Sequence, residues 1–385
     1  MRISMFWAML CLMLKAMKYR LNPMKKQARL LQDQLEECRC LYNHFLEARK
    51  RGWEERQESL TYYGQKATLP HLKAYCPELS HVHSQVLQDV ALRIDLAFKA
   101  FFRRCKAKET PGFPRFRGYG RYNSMTFPQY GNGCQLVGGV LKLSKVGALR
   151  VVQHRPLAGT PKTCTIRRSS TGKWYVTMIC EVEAHSLPPT GEAIGIDVGL
   201  RSFATLSTGE STPCPKFLRT DEKDLKRTQR KLSAAAKSTP ERRTRRTIVA
   251  RVHERITNRR TNFTHQESRR LVNRFDVIAV EDLSVNRMMH NHCLAKSIQD
   301  AAWSQFATFL SYKAVWAGRA FVAVKPAYTS QDCSGCGHRQ KKTLAERTHA
   351  CACCGLTLDR DHNAALNILT LGQQSLGLVP RSPWL

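Results

Sequence analysis

Apolar residues recur every three or four positions over the first quarter of the chain, which predicts amphipathic helices. The pattern extends from residue 25 to about residue 108, and Pro111 and Gly112 end it. The first apolar stripe is Leu30, Leu31, Leu35, Cys38, Leu41, Tyr42 and Phe45, and the second is Val82, Val86, Leu87, Val90, Ile94, Phe98, Phe101 and Phe102. We expect the apolar faces to pack in a helical bundle.

Short segments of β type flank this helical region. Residues 17–22 alternate weakly and predict an edge strand. After the helices, short apolar segments separated by turn residues predict a small barrel. These segments are residues 140–143, 149–152, 162–167 and 174–181.

A different pattern opens at Ala193. Residues 193–199 and 202–206 predict two strands, and a long basic helical stretch follows at residues 221–274. Residues 276–280 and 321–324 predict two further buried strands. Strands that alternate with helices in this way favour a mixed α/β sheet.

The apolar run at residues 4–14 is too short for a bilayer-spanning helix, which needs about 20 residues. A signal peptide is an alternative, but no small-residue cleavage site follows the run. We therefore predict that residues 1–16 are a leader of unknown role and that the working chain starts near Met17. No membrane association is expected.

Charge narrows the class of partner. The 385 residues include 62 Lys and Arg against 30 Asp and Glu, a net charge of +32 at pH 7. This excess of positive charge indicates a polyphosphate partner. The length of the chain predicts two or three domains. The 15 cysteines are scattered along the chain, which excludes a small secreted disulfide framework and indicates a reducing cytoplasm. No P-loop pattern occurs, so nothing supports NTP hydrolysis.

Two Cys-x-x-Cys pairs near the C-terminus have the spacing of a zinc ribbon. Four thiolates close a tetrahedral structural zinc site without an open position. The predicted ligands are Cys333, Cys336, Cys351 and Cys354. Gly337 and Gly355 follow the two pairs, as tight knuckle turns require. Cys353 and His338 are alternative ligands, and an iron–sulfur cluster is an alternative occupant.

Three acidic residues stand where a hydrolytic site would place them. Asp197 and Glu281 each follow an apolar strand, and Asp361 precedes a predicted helix at residues 363–371. Carboxylates that meet at one point need counter-ions, and two Mg²⁺ (or Mn²⁺) ions about 3.5–4 Å apart would supply them and hydrolyse a phosphodiester. We expect Asp197 to bridge the two ions.

Neighbouring acids are alternatives for two of these positions. Asp282 is an alternative to Glu281, and Asp359 is an alternative to Asp361, although Asp359 more naturally caps the following helix. Spacing alone does not show that the three acids meet.

Four segments resemble the TnpB family, the RNA-guided DNA endonucleases encoded by insertion-sequence transposons and related to compact type V CRISPR nucleases. They are residues 195–199 (GIDVG), 280–283 (VEDL), 329–337 (TSQDCSGCG) and 359–365 (DRDHNAA). Residues 82–89, 97–104, 127–133 and 300–303 are also similar, and the resemblance covers about residues 17–371. The leader has no counterpart in the family, and the small-residue stretch 233–236 has no assigned role.

The resemblance implies a multidomain α+β fold. Its parts are an RNase H-like (RuvC) α/β nuclease domain with a zinc-ribbon insert, a small β-barrel wedge domain and an α-helical recognition lobe. The implied boundaries are 17–26 and 111–190 for the wedge barrel, 27–110 for the recognition lobe, 191–328 and 356–372 for the nuclease, 329–355 for the zinc ribbon and 373–385 for a tail.

The resemblance also implies the reaction and the partners. Asp197, Glu281 and Asp361 match catalytic positions of a Mg²⁺-dependent endonuclease. A guide transcript (omega RNA) would pair with double-stranded target DNA next to a short transposon-adjacent motif, as in other RNA-guided systems. A monomeric ribonucleoprotein in the prokaryotic cytoplasm, at the nucleoid, is implied.

Several residues are candidates for nucleic-acid contact. Arginine suits bidentate phosphate binding, although a solvated helix face is the alternative for the basic stretch. The candidates there are Arg227, Arg230, Arg242, Arg243, Arg245 and Arg246. Gln85, Asn123 and Thr126 are candidate readers of the DNA motif.

Three other functions stay open. A guide-dependent repressor that does not cut would be expected to lack an acid, yet all three acids are present. A transposase, or an accessory protein of one, would need a strand-joining activity. A simple zinc-ribbon DNA-binding protein leaves the α/β segment and its acids unexplained.

Overall fold

A computed structural model describes residues 12–343 and 346–379, which fall into two compact units. The boundary between the units lies between Glu183 and Ala184. No helix within the described part of the chain combines the length and the apolar character that a bilayer crossing demands.

The described part of the first unit, residues 12–183, contains seven strands and four α-helices. Its helices are α1 (Lys25–Arg56), α2 (Tyr62–Ala67), α3 (Leu69–Tyr75) and α4 (Ser84–Lys106), with a 3-10 turn at Pro77–His81. Its strands are β1 (Leu12–Asn22), β2 (Ser124–Phe127), β3 (Cys134–Val137), β4 (Val140–Leu143), β5 (Gly147–Val152), β6 (Thr160–Arg168) and β7 (Trp174–Glu183).

The seven strands form one antiparallel sheet in the order β2-β6-β7-β1-β5-β4-β3. The side chains of β7 alternate, so that Trp174, Val176 and Met178 enter the core. The thiols of Cys134 in β3 and Cys164 in β6 share a hydrogen bond, although these strands are far apart in the sheet order. The sheet therefore curls into a nearly closed barrel, as the sequence predicted.

The helices of the first unit share the core of this sheet. Leu31 and Phe45 of α1 and Ile94 of α4 belong to the same buried cluster as Tyr19 of β1 and Val176 of β7. The predicted wedge barrel and recognition lobe thus lie in one compact unit. The predicted division between residues 26 and 27 separates element types within a single core.

The position of β1 corrects two predictions. The strand begins at Leu12 rather than Met17, and it lies between β7 and β5 rather than at an edge. Leu12 to Leu21 pair in register with Glu183 to Trp174, which satisfies the backbone groups of this stretch. Residues 12–16 of the predicted leader are therefore part of the sheet, whereas residues 1–11 lie outside the described residues, as do residues 380–385 of the predicted tail.

The second unit contains the mixed sheet that the sequence predicted. Its strands are β8 (Ala193–Asp197), β9 (Ser202–Leu206), β10 (Ser211–Pro213), β11 (Val277–Glu281), β12 (Ala320–Val324), β13 (Thr348–Ala350) and β14 (Thr357–Asp359). Its helices are α5 (Phe217–Ala234), α6 (Pro240–Arg274), α7 (Val285–Met288), α8 (His292–Ala301), α9 (Trp303–Trp316) and α10 (Arg360–Ser375).

The main sheet of this unit has the order β10-β9-β8-β11-β12, in which β8, β11 and β12 are parallel. Ile194 and Ile196 of β8 and Ile278 of β11 face one side, where they pack with residues of α6 and α9. Gly195 and Ala279 face the opposite side, which α10 covers. The predicted single basic stretch is two packed helices, α5 and α6, and the small residues 233–236 end α5 and begin the turn between them.

The backbone of helix α10 lies in close contact with the backbone of the sheet. A Cβ atom on Gly195 would lie 2.1 Å from the carbonyl oxygen of Ala365 and 2.5 Å from the backbone nitrogen of Leu369. A Cβ atom on Gly372 would lie 2.4 Å from the Cβ of Ala279. Only glycine allows this approach at either position, and the approach fixes where the first turn of α10 lies over the sheet.

Candidate active site and cysteine cluster

Two acidic residues end neighbouring parallel strands. Asp197 closes β8 and Glu281 closes β11, and the residues just before them are paired in the parallel register. Adjacent strands lie about 4.8 Å apart, so the two carboxylates leave the sheet side by side. Because side chains alternate along a strand, both acids lie on the face that carries Gly195 and Ala279. This is the face that α10 covers.

The first turn of α10 brings a third acid to the same face. Asp359 caps the helix, because its Oδ1 accepts hydrogen bonds from the backbone nitrogens of Asp361 at 2.9 Å and His362 at 3.3 Å. This is the role that the sequence suggested for Asp359. Asp361 follows in the first turn, near enough to Asp197 that its charge raises the pKa of that residue.

Negative charge exceeds positive charge around the three carboxylates. Burial raises the pKa of Asp197 well above its usual range, and the charges of Glu281 and Asp361 raise it further, while Arg360 opposes them. Within the described residues, the carboxylate of Asp197 makes no hydrogen bond or ion pair. Burial also raises the pKa of Glu281. Asp361 forms an ion pair with Arg360, whose guanidinium nitrogen lies 3.4 Å from its Oδ1. Glu281 rather than Asp282, which is exposed, is among the charges acting on Asp197.

Thr329 holds Glu281 in place. Its Oγ1 donates a hydrogen bond to Oε1 of Glu281 at 2.5 Å. This hydrogen bond lowers the pKa of Glu281 and so opposes the effect of burial, which raises it. Thr329 is only 4% exposed, so the hydroxyl has little access to competing water. The contact favours the ionised carboxylate in one orientation.

Two asparagines of α10 hold the segment that carries Thr329. Asn367 donates from Nδ2 to the carbonyl oxygens of Thr329 at 2.8 Å and Asp332 at 2.7 Å. One turn earlier, Asn363 donates to the carbonyl of Asp332 at 2.8 Å and accepts from the backbone nitrogen of Ser334 at 2.9 Å. Both asparagines are almost fully buried. They connect α10 to the start of the cysteine-rich segment.

Sequence reasoning gave no role to this asparagine pair or to Thr329. A signal was present, because Asn363 and Asn367 lie four residues apart among Ala364, Ala365 and Ile368. Amides on an otherwise apolar buried face must find partners. The identity of those partners depends on the tertiary structure, which the sequence pattern does not contain.

The four predicted cysteines converge. Cys333, Cys336, Cys351 and Cys354 form the only set of three or more His, Cys, Asp or Glu side chains, among the residues that the structure describes, whose ligand atoms all lie within 4.8 Å of one another. The Sγ atoms of Cys333 and Cys354 are 3.6 Å apart, and those of Cys336 and Cys351 are 3.5 Å apart. Tetrahedral zinc with bonds of about 2.3 Å would separate sulfurs by about 3.8 Å. The cluster therefore fits a structural zinc ion, whereas the three carboxylates are less tightly grouped.

The knuckle turns have the predicted form. The backbone nitrogens of Gly337 and Gly355 donate to the carbonyls of Cys333 and Cys351 at 2.8 and 3.0 Å, and both glycines have a positive φ. Backbone N–H groups of Cys354 and Cys353 lower the pKa of the Cys351 thiol to about 6, which favours a thiolate. The side chains of Cys353 and His338 are not part of the cluster.

The predicted phosphate-binding arginines differ in their contacts. Arg230, Arg243 and Arg246 are exposed and form no ion pair within residues 12–343 and 346–379. Arg227 pairs with Asp224 at 2.8 Å, and Arg245 pairs with Glu241 at 3.5 Å. Arg242 instead donates to the carbonyls of Leu232 and Ala235 at 3.1 and 2.5 Å, so it stabilises the turn between α5 and α6.

The candidate readers of a DNA motif lie in the first unit. Gln85 donates from Nε2 to Oε1 of Gln129 at 2.6 Å, and Asn123 is exposed just before β2. The hydroxyl of Thr126 accepts a hydrogen bond from Arg93 at 2.9 Å and contacts Thr165 at 3.0 Å. These contacts give Thr126 a structural role, and base reading by all three residues stays a prediction.

Three family profiles match the chain. Residues 177–292 match one described as "Probable transposase", residues 303–368 match "Cas12f1-like, TNB domain", and residues 9–58 match "Helix-turn-helix domain". The described residues of the last range form strand β1 and the single helix α1 rather than two helices.

Curated relatives match over most of the chain. A protein of Streptomyces pristinaespiralis named "Putative RNA-guided DNA endonuclease" is 37% identical over 363 residues, 93% of this chain and 89% of the relative. The protein of Escherichia coli K12 named "Putative RNA-guided DNA endonuclease InsQ" is 30% identical over 94% of this chain and 93% of the relative. The TnpB-like protein L79 of Acanthamoeba polyphaga mimivirus is 27% identical over 58% of this chain and 46% of the relative.

A solved structure shares the fold. A Cas12f1 chain, from a complex with single-guide RNA and target DNA, matches with a TM-score of 0.57 and 15% identity. The match covers 90% of this chain and 83% of that chain.

Replacing the central carboxylate should stabilise the protein when no divalent cation is added. The raised folded-state pKa of Asp197 means that its charge costs stability, a cost that grows as pH rises through the interval between the unfolded and folded pKa values. We expect Asp197→Asn to raise the thermal midpoint at pH 7 by about 2–4 °C, the shift that ~1 kcal/mol gives in a domain of this size. The exposed Asp282→Asn is the matched control and should change little. A lower midpoint for Asp197→Asn at neutral pH would contradict this account of the site.

Proposed function

The chain belongs to the TnpB family, and on that premise we propose that it is an RNA-guided DNA endonuclease that cuts DNA beside a short transposon-adjacent motif. The observation that carries the proposal is the convergence of Asp197, Glu281 and Asp361 on one face of the sheet. Relatives with that name share most of the length of this chain, which supports the same activity here.

We assign the second unit as an RNase H-like (RuvC) nuclease with a zinc-ribbon insert. The strand order β10-β9-β8-β11-β12, with helices on both faces, supports this assignment. The cysteine cluster lies between β12 and α10 in the chain, which is where an insert would leave the nuclease fold. The match of residues 303–368 to a TNB-domain profile agrees with it.

Asp197, Glu281 and Asp361 are the residues that would hold two Mg²⁺ or Mn²⁺ ions. Carboxylate oxygens suit these hard cations, and the carboxylate of Asp197, which has no partner in the described structure and lies near two other acids, would be one of their ligands. When bound, the ions lower the pKa of a water molecule and balance charge on the phosphate and the leaving oxygen. The chain itself contributes orientation, because Thr329 fixes Glu281 and the Asp359 cap fixes Asp361.

The basic helices α5 and α6 would bind the nucleic-acid backbone. Helix α6 contains eleven arginines, no lysine and three glutamates. Arginine binds phosphate in a bidentate manner, and the exposed Arg230, Arg243 and Arg246 have no internal partner in the described structure. The partners would be a guide omega RNA and double-stranded target DNA, in a monomeric ribonucleoprotein of the prokaryotic cytoplasm.

Removal of one acid should abolish cutting and leave binding intact. We expect Asp197→Ala to slow cleavage about a thousand-fold or more, because the charge stabilisation that the metal site gives is worth several kcal/mol and about 1.4 kcal/mol is tenfold in rate. The measurement is plasmid cleavage by the protein with its copurifying RNA, beside a filter-binding assay for guide-dependent DNA binding.

The Asp282→Asn variant serves as the control in this assay and should cut normally. Cleavage that survives in Asp197→Ala would overturn the assignment of the acids. Wild-type protein that binds but never cuts would indicate a repressor, and joined strands would indicate a transposase.

Thr329 should control the metal affinity of the acids. Loss of a hydrogen bond to a metal-ligating carboxylate typically weakens metal binding about 10–100-fold, and we expect this for Mn²⁺ in Thr329→Val. Calorimetry or Mn²⁺ electron paramagnetic resonance measures the affinity without reference to cleavage. Thr329→Ser keeps the hydroxyl and should bind almost as the wild type does. Thr370→Val is the matched control, because the Thr370 hydroxyl donates only to Leu366 of its own helix.

The cysteine cluster should hold one zinc ion per chain. Cys351→Ser should lose the ion and lower the thermal midpoint, because a structural zinc site supplies folding energy to its segment. Cys353→Ser removes a neighbouring exposed thiol outside the cluster and should retain the zinc. Elemental analysis of the purified proteins measures the metal content. An iron signal with visible absorption, or zinc retained in Cys351→Ser, would refute the assignment.

A further inference from the structure

The first unit carries a pocket walled by aromatic rings. It has a volume of about 530 Å³ and lies between α1, α4 and the loop that follows α4. Trp53, Phe98, Phe101, Phe102 and Phe113 supply its aromatic wall, which we call the aromatic pocket.

Three of these rings are exposed, whereas Phe98 packs against the edge of the core. The buried stripe of α4 ends at Ile94, although the same apolar periodicity continues through Phe98, Phe101 and Phe102. Phe102 is 61% exposed, Trp53 is 55% exposed and Phe113 is 47% exposed. Phe113 meets Phe98 and Phe101 edge-on, with ring centroids 5.6 and 5.4 Å apart. Large aromatic surfaces left exposed together in this way mark a binding site.

The charge around the aromatic pocket favours a polyanion. Glu54 and Glu58, the two acids that line the pocket, pair with Lys50 at 3.7 Å and Arg56 at 3.2 Å, and the nearby Asp95 pairs with Arg49 at 3.3 Å. By contrast, Lys106 and Arg115 form no ion pair with any described residue. Lys106 lies one helical turn beyond Phe102 on the same side of α4, and Arg115 follows Phe113 by two residues.

We propose that the aromatic pocket binds an unpaired nucleobase of the guide RNA, and this inference rests on the function proposed above. Exposed ring faces stack on bases of any sequence, and flanking cations contact the phosphates of the same strand. The volume is ample for one base with its sugar. RNA is the favoured strand because a folded guide always offers unstacked loop bases, whereas the target DNA is unpaired only after the guide has displaced one of its strands.

The test uses a single-stranded RNA of about ten nucleotides that carries one 2-aminopurine, bound to the full-length protein. Stacking in the pocket quenches the fluorescence of this base. We expect the double variant Trp53→Ala/Phe102→Ala to lose the quenching and to weaken binding roughly 10–100-fold, the range found when a stacking ring is removed. The salt dependence of the affinity should stay unchanged, because no charge is removed. Lys106→Ala/Arg115→Ala should instead lower the salt slope by about 1.4, because each phosphate contact with a single strand contributes about 0.7.

Tyr75→Ala is the matched control, because Tyr75 is 83% exposed in the same unit but does not line the pocket. Circular dichroism verifies that each variant is folded. Unchanged RNA affinity in the double variant, or a DNA strand of equal sequence that binds more tightly than the RNA, would overturn the proposal. A shift from dimer to monomer in light scattering, with RNA affinity unchanged, would show that a second copy occupies the pocket. Wild-type protein that binds no RNA at all would instead refute the proposed function itself.

Discussion

The backbone contact between α10 and strand β8 is the constraint on which the candidate active site depends. Asp197 and Glu281 are placed by the parallel register of β8 and β11, and any parallel pair would set them side by side. The third acid lies on a helix that is distant in sequence. It reaches the other two because Gly195 has no side chain to hold the helix away, and because Gly372 admits the Cβ of Ala279 further along. Two missing Cβ atoms thus determine whether three carboxylates share one electrostatic environment.

The cysteine cluster is joined to the acids through neutral hydrogen bonds. Asn363 and Asn367 hold the chain just before the first cysteine pair, and Thr329 in that stretch holds Glu281. The cysteine-rich segment has little apolar core of its own. Its order must therefore come from the cysteine cluster and from the hydrogen bonds of Asn363 and Asn367. The two candidate metal centres are therefore parts of one network, with α10 as the common support.

Much of this arrangement could be predicted from the sequence, and the part that could not has a physical reason. Strand β9 and the four cysteines follow from local periodicity and spacing, which a single segment contains. The central position of β1 depends on its partners β5 and β7, which are far away in the chain, and its weak alternation resembles that of an edge strand. The double role of the arginine-rich stretch also escaped prediction. A run of charged residues looks the same in the sequence whether an arginine side chain has no partner among the described residues, as with Arg243, or caps a turn, as Arg242 does.

The central place of β1 has a consequence for biosynthesis. Strand β1 pairs at Leu12 with Glu183, the last residue of its unit, and it also pairs with β5. Neither neighbour exists while α1 to α4 are being translated, so the nascent helices emerge without the sheet that completes their core. A topology of such high contact order folds slowly and late. The unit can close only after its whole length has been made, and until then its apolar strand surfaces are open to chaperones.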